Sequence, residues 1–231
     1  MTALTPDYDA DPERFLSNAR WPHDDVHPYV AERFAAAGAR RVLDVGGGHG
    51  SLSRLLPALS MTCVLVDISP TMLALAPRPA VRADGARLPF NDESFDAVAA
   101  LYTLYHHEDP TLSIRESRRV LRLGGLFVAC SAGRDSTPEL AEVIPHWGAA
   151  STFDAEDSPD IVGSVFNAPG DQLEVQRWDA PMHTLSDADA ATAFLRSVGL
   201  MSEDAARSAA SVLDTPLTLT MRGCFVYATK A

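Results

Sequence analysis

A glycine-rich turn between an apolar run and a helical stretch constrains the fold most. Residues 44–50 read D-V-G-G-G-H-G, at the end of the apolar run 41–45 and before a stretch that predicts a helix over 51–59. Glycines let the backbone turn tightly and let a ligand approach the main chain. The start of a helix presents free N–H groups and a positive dipole end. The turn therefore predicts a ligand site at the carboxyl end of a first strand.

Strand-like and helix-like stretches alternate across residues 41–130. We expect strands over 41–45, 62–66, 80–83, 95–101 and 126–130. Helices are expected to start at Ser69-Pro70 and Asp109-Pro110, because Ser and Asp are favoured N-caps and Pro is favoured at the first helical position. The second of these helices is expected to run to about residue 122. This alternation predicts parallel strands with crossover helices on both faces.

The alternation of strand-like and helix-like stretches is less regular outside residues 41–130. We expect helices over 28–37, 137–147, 187–198 and 202–213, and strands over 173–178 and 224–229. Gly38 is the expected C-cap of the first helix. We divide the chain into an N-terminal lid or substrate segment, 1–38, and a domain, 39–231, whose variable substrate region covers about 131–220.

Charge and cysteine content exclude several classes of function. The chain has 231 residues with 31 acidic and 19 basic side chains, a net charge of -12, and Lys230 as its one lysine. Phosphate binding depends largely on Lys and Arg, so we expect no nucleic-acid partner, and we interpret Arg118-Arg119 as a solvated helix face. The three cysteines show no metal spacing. With no signal-peptide pattern and no membrane-length apolar run, we expect a cytoplasmic enzyme, a monomer or homodimer, without metal or membrane.

Two acidic residues sharpen the prediction of a nucleotide-like ligand. Asp67 ends the second strand, where a carboxylate can accept hydrogen bonds from both ribose hydroxyls. Asp84 follows the third strand and precedes Gly85, where it could accept from an adenine amino group. The alternatives are a helix-capping or loop role for Asp67 and a turn role for Asp84.

At this point the sequence resembles the class I S-adenosylmethionine-dependent methyltransferases of small-molecule type. The matching stretches are VLDVGGGHG, LVDISPTML, RADGARLPF, SFDAVAALYTLYHHEDP and RVLRLGGLFVAC. They cover residues 41–130, and the rest of the chain matches only in outline. The resemblance implies an α/β, Rossmann-like, mostly parallel sheet of seven strands in the order 3-2-1-4-5-7-6, with the last strand antiparallel and an N-terminal lid.

The resemblance also implies a cofactor, S-adenosylmethionine, and a site for it. Asp44, Gly46, Gly48 and Gly50 would line its methionine part, as would Leu101 and Tyr102 after the fourth strand. Asp67 would hold the ribose, Ile68 and Met72 would pack on the adenine, and Asp84 with Gly85 would meet the adenine edge.

A nicotinamide dehydrogenase is the rival for the same turn. Its fingerprint, G-x-G-x-x-G, would require glycine at position 51 when counted from Gly46, and the chain has Ser51 there. That fold also does not require an acidic residue after the third strand.

Four histidines are candidates for catalysis, because an oxygen or nitrogen acceptor must lose a proton and His titrates near neutral pH. His106 and His107 follow the fourth strand, where a structural role is the alternative. His23 and His27 lie in the N-terminal segment, four residues apart. On a helix that spacing could bind a metal, but Pro22 and Pro28 bracket the pair and no third ligand is evident.

Aromatic side chains could form the wall of an acceptor site. The candidates for contact with the substrate are Tyr8, Trp21, Tyr105 and His146, and Tyr102 could also face the sulfonium, because a cation over an aromatic ring is favourable by roughly 0.5–2 kcal/mol.

The leading hypothesis is methyl transfer to a small metabolite. The position after the fourth strand reads L-Y-T-L-Y rather than Asn-Pro-Pro-Tyr, which argues against protein-glutamine and nucleobase substrates. One alternative is a non-methylating use of S-adenosylmethionine, either cyclisation of its aminobutyryl chain with release of 5'-methylthioadenosine or a cofactor-assisted rearrangement. Another is a binding or regulatory module without catalysis.

Overall fold

The computed structural model describes Asp9 and residues 26–144, 151–197 and 201–231. The strands are β1 (Arg41–Val45), β2 (Thr62–Asp67), β3 (Ala80–Arg82), β4 (Phe95–Leu101), β5 (Leu121–Ala132), β6 (Gln172–Leu185) and β7 (Leu217–Thr229). The α-helices are α1 (Val26–Ala36), α2 (Ser51–Leu55), α3 (Pro70–Leu75), α4 (Pro110–Val120), α5 (Ser158–Val165), α6 (Ala188–Ser197) and α7 (Glu203–Ala210), and 3₁₀ turns cover Leu56–Leu59, Leu104–His106 and Pro138–Leu140. None of the described helices is long and apolar enough to cross a bilayer.

The described strands form one sheet in the order β3-β2-β1-β4-β5-β7-β6. Strands β1 to β5 run parallel to one another, and β7 is antiparallel to both β5 and β6. This confirms the predicted Rossmann-like fold and its strand order. Asp44 pairs with Leu65 of β2 and Ala99 of β4, so the carboxyl ends of β1, β2 and β4 lie side by side.

Both faces of the central sheet are covered, as the continuous apolar strands predict. One layer joins the sheet to α4 and α5 through Leu43, Val98, Ile114 and Val162. The opposite layer joins it to α1 and α2 through Val42, Ala97, Phe34 and Leu52. Each Leu, Val, Ile or Phe side chain among these stabilises the fold by about 1.5–3 kcal/mol when fully buried.

Helix α1 belongs to this core. Its buried residues include Val30 and Phe34, and it ends where Gly38 adopts φ 75° and its N–H donates to Ala35 O at 2.9 Å. The helix and the C-cap at Gly38 are confirmed. Because residues 26–36 pack on the sheet, the lid that we predict stays a prediction for residues before 26.

Strands β6 and β7 continue beyond the other strands as an antiparallel pair. Pairing of β5 with β7 ends at Ala132 and Gly223, whereas β6 and β7 stay paired as far as Leu185 and Leu217. The extension carries its own apolar cluster, which contains Leu140, Leu185, Phe194, Ala206 and Leu219. This cluster caps the carboxyl edge of the sheet beside β5.

The expected helix over 137–147 is wrong in its described part, and the expected end of α4 is wrong. Residues 137–144 form only the 3₁₀ turn Pro138–Leu140 and further turns, and residues 145–147 of the expected helix lie outside the described residues. Helix α4 ends at Val120, and β5 begins at Leu121, which pairs with Phe95. The register shifts between that pair and the next one. Gly124 and Gly125, which precede the strand expected over 126–130, lie inside β5.

Candidate active site

The glycine turn follows β1 and is fastened to β2. The N–H of Gly46 donates to Val66 O at 2.8 Å. Gly46, Gly48 and Gly50 have φ of 64°, 55° and 90°, in a region that costs an L-residue roughly 1–2 kcal/mol. A Cβ on Gly46 would come within 2.6 Å of Thr103 Cβ. The turn thus requires glycine both for its backbone angles and for its packing.

The Asp44 carboxylate lies beneath the turn. It is 3% exposed and accepts a hydrogen bond from Ser53 Oγ at 2.8 Å, and Ser53 Oγ lies 3.2 Å from Cys63 Sγ. Burial raises the pKa of Asp44 to about 6; the Asp67 charge adds to this and the Ser53 hydrogen bond opposes it. Asp44 is therefore a buried acid whose ionised form lacks full compensation, and a nearby cation would favour that form.

Asp67 connects the glycine turn to the loop after β2. Its Oδ2 accepts from Gly48 N and its Oδ1 from Ser69 N, both at 2.9 Å. Ser69 Oγ also caps α3 by accepting from Met72 N at 3.1 Å. Since each carboxylate oxygen has two lone pairs, Asp67 can accept two further hydrogen bonds, as a pair of vicinal hydroxyls would offer.

The loop after β3 packs against the end of β1. Asp84 Oδ1 accepts from Ala86 N at 2.9 Å. A Cβ on Gly85 would lie 2.7 Å from Ser113 Oγ and 3.4 Å from His107 Cε1. The absence of a side chain at Gly85 lets this loop lie close to α4, which brings Asp84 to the same edge as Asp67.

One exposed apolar side chain lies beside Asp67. Ile68 is 65% exposed, whereas Met72 is 2% exposed. Asp9 also reaches this point, where it accepts from Ser69 Oγ at 2.6 Å and from Thr71 N at 3.3 Å. Of the two residues expected to pack on an adenine, Ile68 presents a free surface.

The loop after β4 closes the other side of the glycine turn. Leu101 ends the strand, and Tyr102, with φ 52°, donates from its N–H to Cys130 O at 3.0 Å. A left-handed non-glycine residue is strained, and such residues often occur at functional sites. This backbone conformation directs the chain so that Thr103 packs on Gly46.

The histidine pair lies at the end of this loop. Burial lowers the pKa of His106 to about 4, helped by its neighbour His107. Burial also lowers the pKa of His107, and the Asp84 charge opposes that shift. Because an efficient general base has a pKa near the working pH, His106 is a weak base at neutral pH. The contact of His107 with the Asp84 loop favours a positioning role.

An aromatic shelf, consisting of Tyr29, Trp178 and Phe225, lies where α1 packs on β6 and β7. The rings of Tyr29 and Phe225 stack at 5.2 Å, and Trp178 lies 6.3 Å from Phe225. Trp178 pairs with Gly223, where a Cβ would lie 2.5 Å from its Cζ2. Sequence analysis missed the shelf, although a glycine inside an apolar strand is a signal that another group approaches closely.

The remaining predicted site residues lie elsewhere. Tyr8, Trp21, His23 and His146 are outside the described residues. His27 lies in the first turn of α1, and the Tyr105 ring lies 4.2 Å from that of His106. The described residues contain no group of three or more His, Cys, Asp or Glu side chains that could hold a metal ion.

Comparison with known proteins decides how to interpret this edge of the sheet. A family model described as "Methyltransferase domain" matches residues 43–129. That segment holds the glycine turn, Asp67 and the Asp84 loop. Residues 43–129 are therefore similar to a methyltransferase domain. The cofactor of such a methyltransferase domain is S-adenosylmethionine.

Curated relatives match this chain over part of their length. Demethylmenaquinone methyltransferase of Mycobacterium sp. (strain KMS) is 40% identical over 93 residues, which are 39% of this chain and 40% of that protein. The chain thus spans less than half the length of that relative.

Solved structures share the fold of this protein over nearly the whole chain. A proposed methyltransferase from an antibiotic biosynthesis pathway of Anabaena variabilis ATCC 29413 has a TM-score of 0.71 at 17% identity, over 92% of this chain and 99% of that chain. The [4+2]-cyclase SpnF has a TM-score of 0.67 at 20% identity, over 96% and 94% of the two chains. At these identities the likeness concerns the fold alone.

Proposed function

We propose that this protein transfers the methyl group of S-adenosylmethionine to a small-molecule acceptor. The observation that carries the proposal is the meeting of the glycine turn, Asp67 and the Asp84 loop at one sheet edge within a methyltransferase domain. The cofactor, when bound, supplies a methyl group already activated by its sulfonium. The protein has to bind it, align the acceptor with it and exclude water.

The described side chains fit this cofactor. Residues proposed for its methionine part and sulfonium are Asp44, Gly46, Gly48, Gly50, Leu101 and Tyr102. Asp67 has unused lone pairs for the ribose hydroxyls, and Ile68 has free apolar surface for the adenine, with Asp84 and Gly85 at the adenine edge. Met72, which lies in α3 and is buried, is proposed to support the adenine from below.

The acceptor is proposed to lie between the glycine turn and the aromatic shelf. Tyr102 follows β4 and Trp178 belongs to β6, three strand positions away, which is a span of about 14 Å. Flat aromatic faces suit an organic acceptor with a substantial apolar part. The net charge of -12 disfavours nucleic acid, and the similarity to a demethylmenaquinone methyltransferase supports a small molecule.

Removal of a proton from the acceptor is not assigned to the histidines of the loop after β4. The lowered pKa of His106 and the packing of His107 against the Asp84 loop favour positioning roles for this pair. His23 and His27 of the N-terminal segment stay candidates. An acceptor that is already ionised at neutral pH would need no base.

Calorimetry and product analysis test the proposal. Titration of the purified protein with S-adenosylmethionine and S-adenosylhomocysteine should show binding of both. Incubation with S-adenosylmethionine and a panel of aromatic and aliphatic acceptors should yield S-adenosylhomocysteine and a product heavier by one methyl group. Release of 5'-methylthioadenosine without an acceptor would instead support cyclisation. Absence of binding would contradict the proposal and leave the fold intact.

Replacing Asp67 by alanine should weaken S-adenosylmethionine binding by about 1–3 kcal/mol, because the ribose hydroxyls would lose a charged acceptor. Calorimetry with the variant measures this loss. Asp92→Ala, which removes an exposed carboxylate before β4, is the matched control and should bind as the native protein does. Unchanged affinity in Asp67→Ala would contradict the proposed placement of the ribose.

Replacing Trp178 by alanine should raise the KM for an acceptor found in the panel by about 2- to 10-fold, the usual worth of one aromatic contact. Steady-state kinetics measures the change, while the Kd for S-adenosylmethionine should stay the same. Trp178→Phe keeps a flat ring and should recover most of the loss. An equal KM in all three proteins would contradict the proposal that the shelf binds the acceptor.

A further inference from the structure

A cavity of about 540 Å³ lies at the amino edge of the sheet, away from the glycine turn. Lys230 marks this edge, because it follows β7 and its N–H donates to Gly125 O in β5 at 3.1 Å. Three arginines of α4 line the cavity with Lys230: Arg115, Arg118 and Arg119. Asp92 and Glu93, which precede β4, complete its charged lining.

This grouping of cations is unexpected in an acidic chain. The protein has 19 basic residues against 31 acidic ones, and four of the basic ones share this cavity. Like charges repel one another at close range. The four cations therefore differ in how far the fold neutralises them and in how many donors they keep for a ligand.

Arg119 is fully used by the fold. Its Nε and Nη2 bind Glu116, its Nη1 binds Asp92 at 2.7 Å, and its Nη1 and Nη2 also donate to Phe90 O and Leu88 O. These bonds account for all five N–H groups of a guanidinium. Arg119 therefore forms part of the wall and offers nothing to a ligand.

Arg118 and Arg115 keep open donors. Arg118 binds Asp171, which is 1% exposed at its side chain, through Nε and Nη2. Its Nη1 bonds to none of the residues that the structure describes. Arg115 is exposed and, within the described ranges, makes neither a hydrogen bond nor an ion pair. Two guanidinium groups on one helix thus have N–H groups available to a ligand.

Lys230 adds a buried ammonium. Its side chain is 10% exposed, and Nζ donates to Leu121 O at 2.7 Å. Its contact with Glu93 Oε1, at 3.5 Å, is at the limit of a hydrogen bond. An ammonium has three donors, and a buried charge is costly unless it is well paired. The positive charge of Lys230 is therefore only partly balanced by Leu121 O and Glu93.

We propose that this cavity binds a phosphate dianion, either free or as the phosphoryl group of a small metabolite. A phosphate offers oxygens in several directions, which matches one ammonium and two guanidinium groups of different origin. Arg115, Arg118 and Lys230 donate to it, and Glu93 is displaced from Lys230. The proposal is independent of methyl transfer, because α4 is about 16 Å long and the candidate active site lies at its other end.

Titration of the native protein with inorganic phosphate tests the proposal, by calorimetry and by the shift of the melting temperature, with sodium chloride at matched ionic strength. We expect saturable binding of phosphate and a dose-dependent rise in Tm that chloride does not reproduce. Arg115→Gln, an exposed change, should weaken binding about 5- to 10-fold, and Lys230→Met should weaken it at least as much. Glu93→Gln should strengthen binding, because a competing carboxylate is removed.

Arg207→Gln is the matched control, since it removes one exposed charge from α7, outside the cavity. It should bind phosphate as the native protein does. An equal effect of chloride, or equal loss in Arg207→Gln and Arg115→Gln, would overturn the proposal in favour of general charge screening. Absence of phosphate binding by the native protein would also overturn it, whatever the outcome with S-adenosylmethionine.

Discussion

Replacing Gly46 by alanine is expected to lower the free energy of unfolding by about 2–5 kcal/mol, the sum of a left-handed backbone penalty and of overpacking. The residue has φ 64°, and a Cβ would collide with the Thr103 side chain. The loop after β4 would have to move, and with it Tyr102 at the proposed cofactor site. Urea denaturation measures the stability, and calorimetry should show loss of S-adenosylmethionine binding.

The variant Gly124→Ala separates the backbone penalty from the effect of overpacking. Gly124 has φ 71°, but a Cβ there would meet no atom within 4 Å. The variant should therefore lose only the backbone part, about 1–2 kcal/mol, and should bind S-adenosylmethionine normally. If both variants lost equal stability, the packing of Thr103 on Gly46 would be irrelevant to the fold.

Asp44 is expected to make the stability of the unliganded protein fall as the pH rises. Its folded pKa, about 6, is above the ordinary 3.8, so the folded protein holds this proton more tightly than the unfolded chain does. The stabilisation is complete below about pH 3.8 and is lost as the pH rises through about 6. About two pKa units correspond to about 3 kcal/mol.

Asp44→Asn isolates this contribution, because the amide oxygen can still accept from Ser53 and does not titrate. Between pH 4 and pH 7 the free energy of unfolding of the native protein, measured by urea denaturation, should fall by about 2–3 kcal/mol relative to that of the variant. The free energy of unfolding of Asp92→Asn, an exposed substitution, should change with pH as that of the native protein does. Binding of the cationic S-adenosylmethionine at pH 6 should release a proton, seen as a heat that depends on the buffer. A pH-independent difference between the native protein and Asp44→Asn would contradict the raised pKa.

The core of the fold could be predicted because its signals are local. Strands β1 and β4 begin and end as expected, and Ser69 and Asp109 cap their helices through hydrogen bonds to Met72 N and Thr111 N. The glycine turn could be interpreted because its spacing reflects backbone angles. In these places the short-range chemistry of a few neighbouring residues decides the structure.

The sites farther from that core could not be predicted, because distant strands assemble them. Trp178 meets Phe225 only through the pairing of β6 with β7. Lys230 joins Arg118 only because β7 ends beside the start of β5. We interpreted Arg118-Arg119 as a solvated face, but one of these arginines binds a buried carboxylate and the other is fully bonded within the fold. No periodicity in one segment reveals such partners.

The position of β7 also affects how the protein is made. This strand is the last of the sheet in chain order, yet it lies between β5 and β6. During synthesis from the N-terminus, β5 and β6 each present an unpaired edge until residues 217–229 have left the ribosome. Open edges invite pairing with wrong strands and aggregation. A chain interrupted before residue 217 would therefore keep both edges open and depend on chaperones until it is degraded.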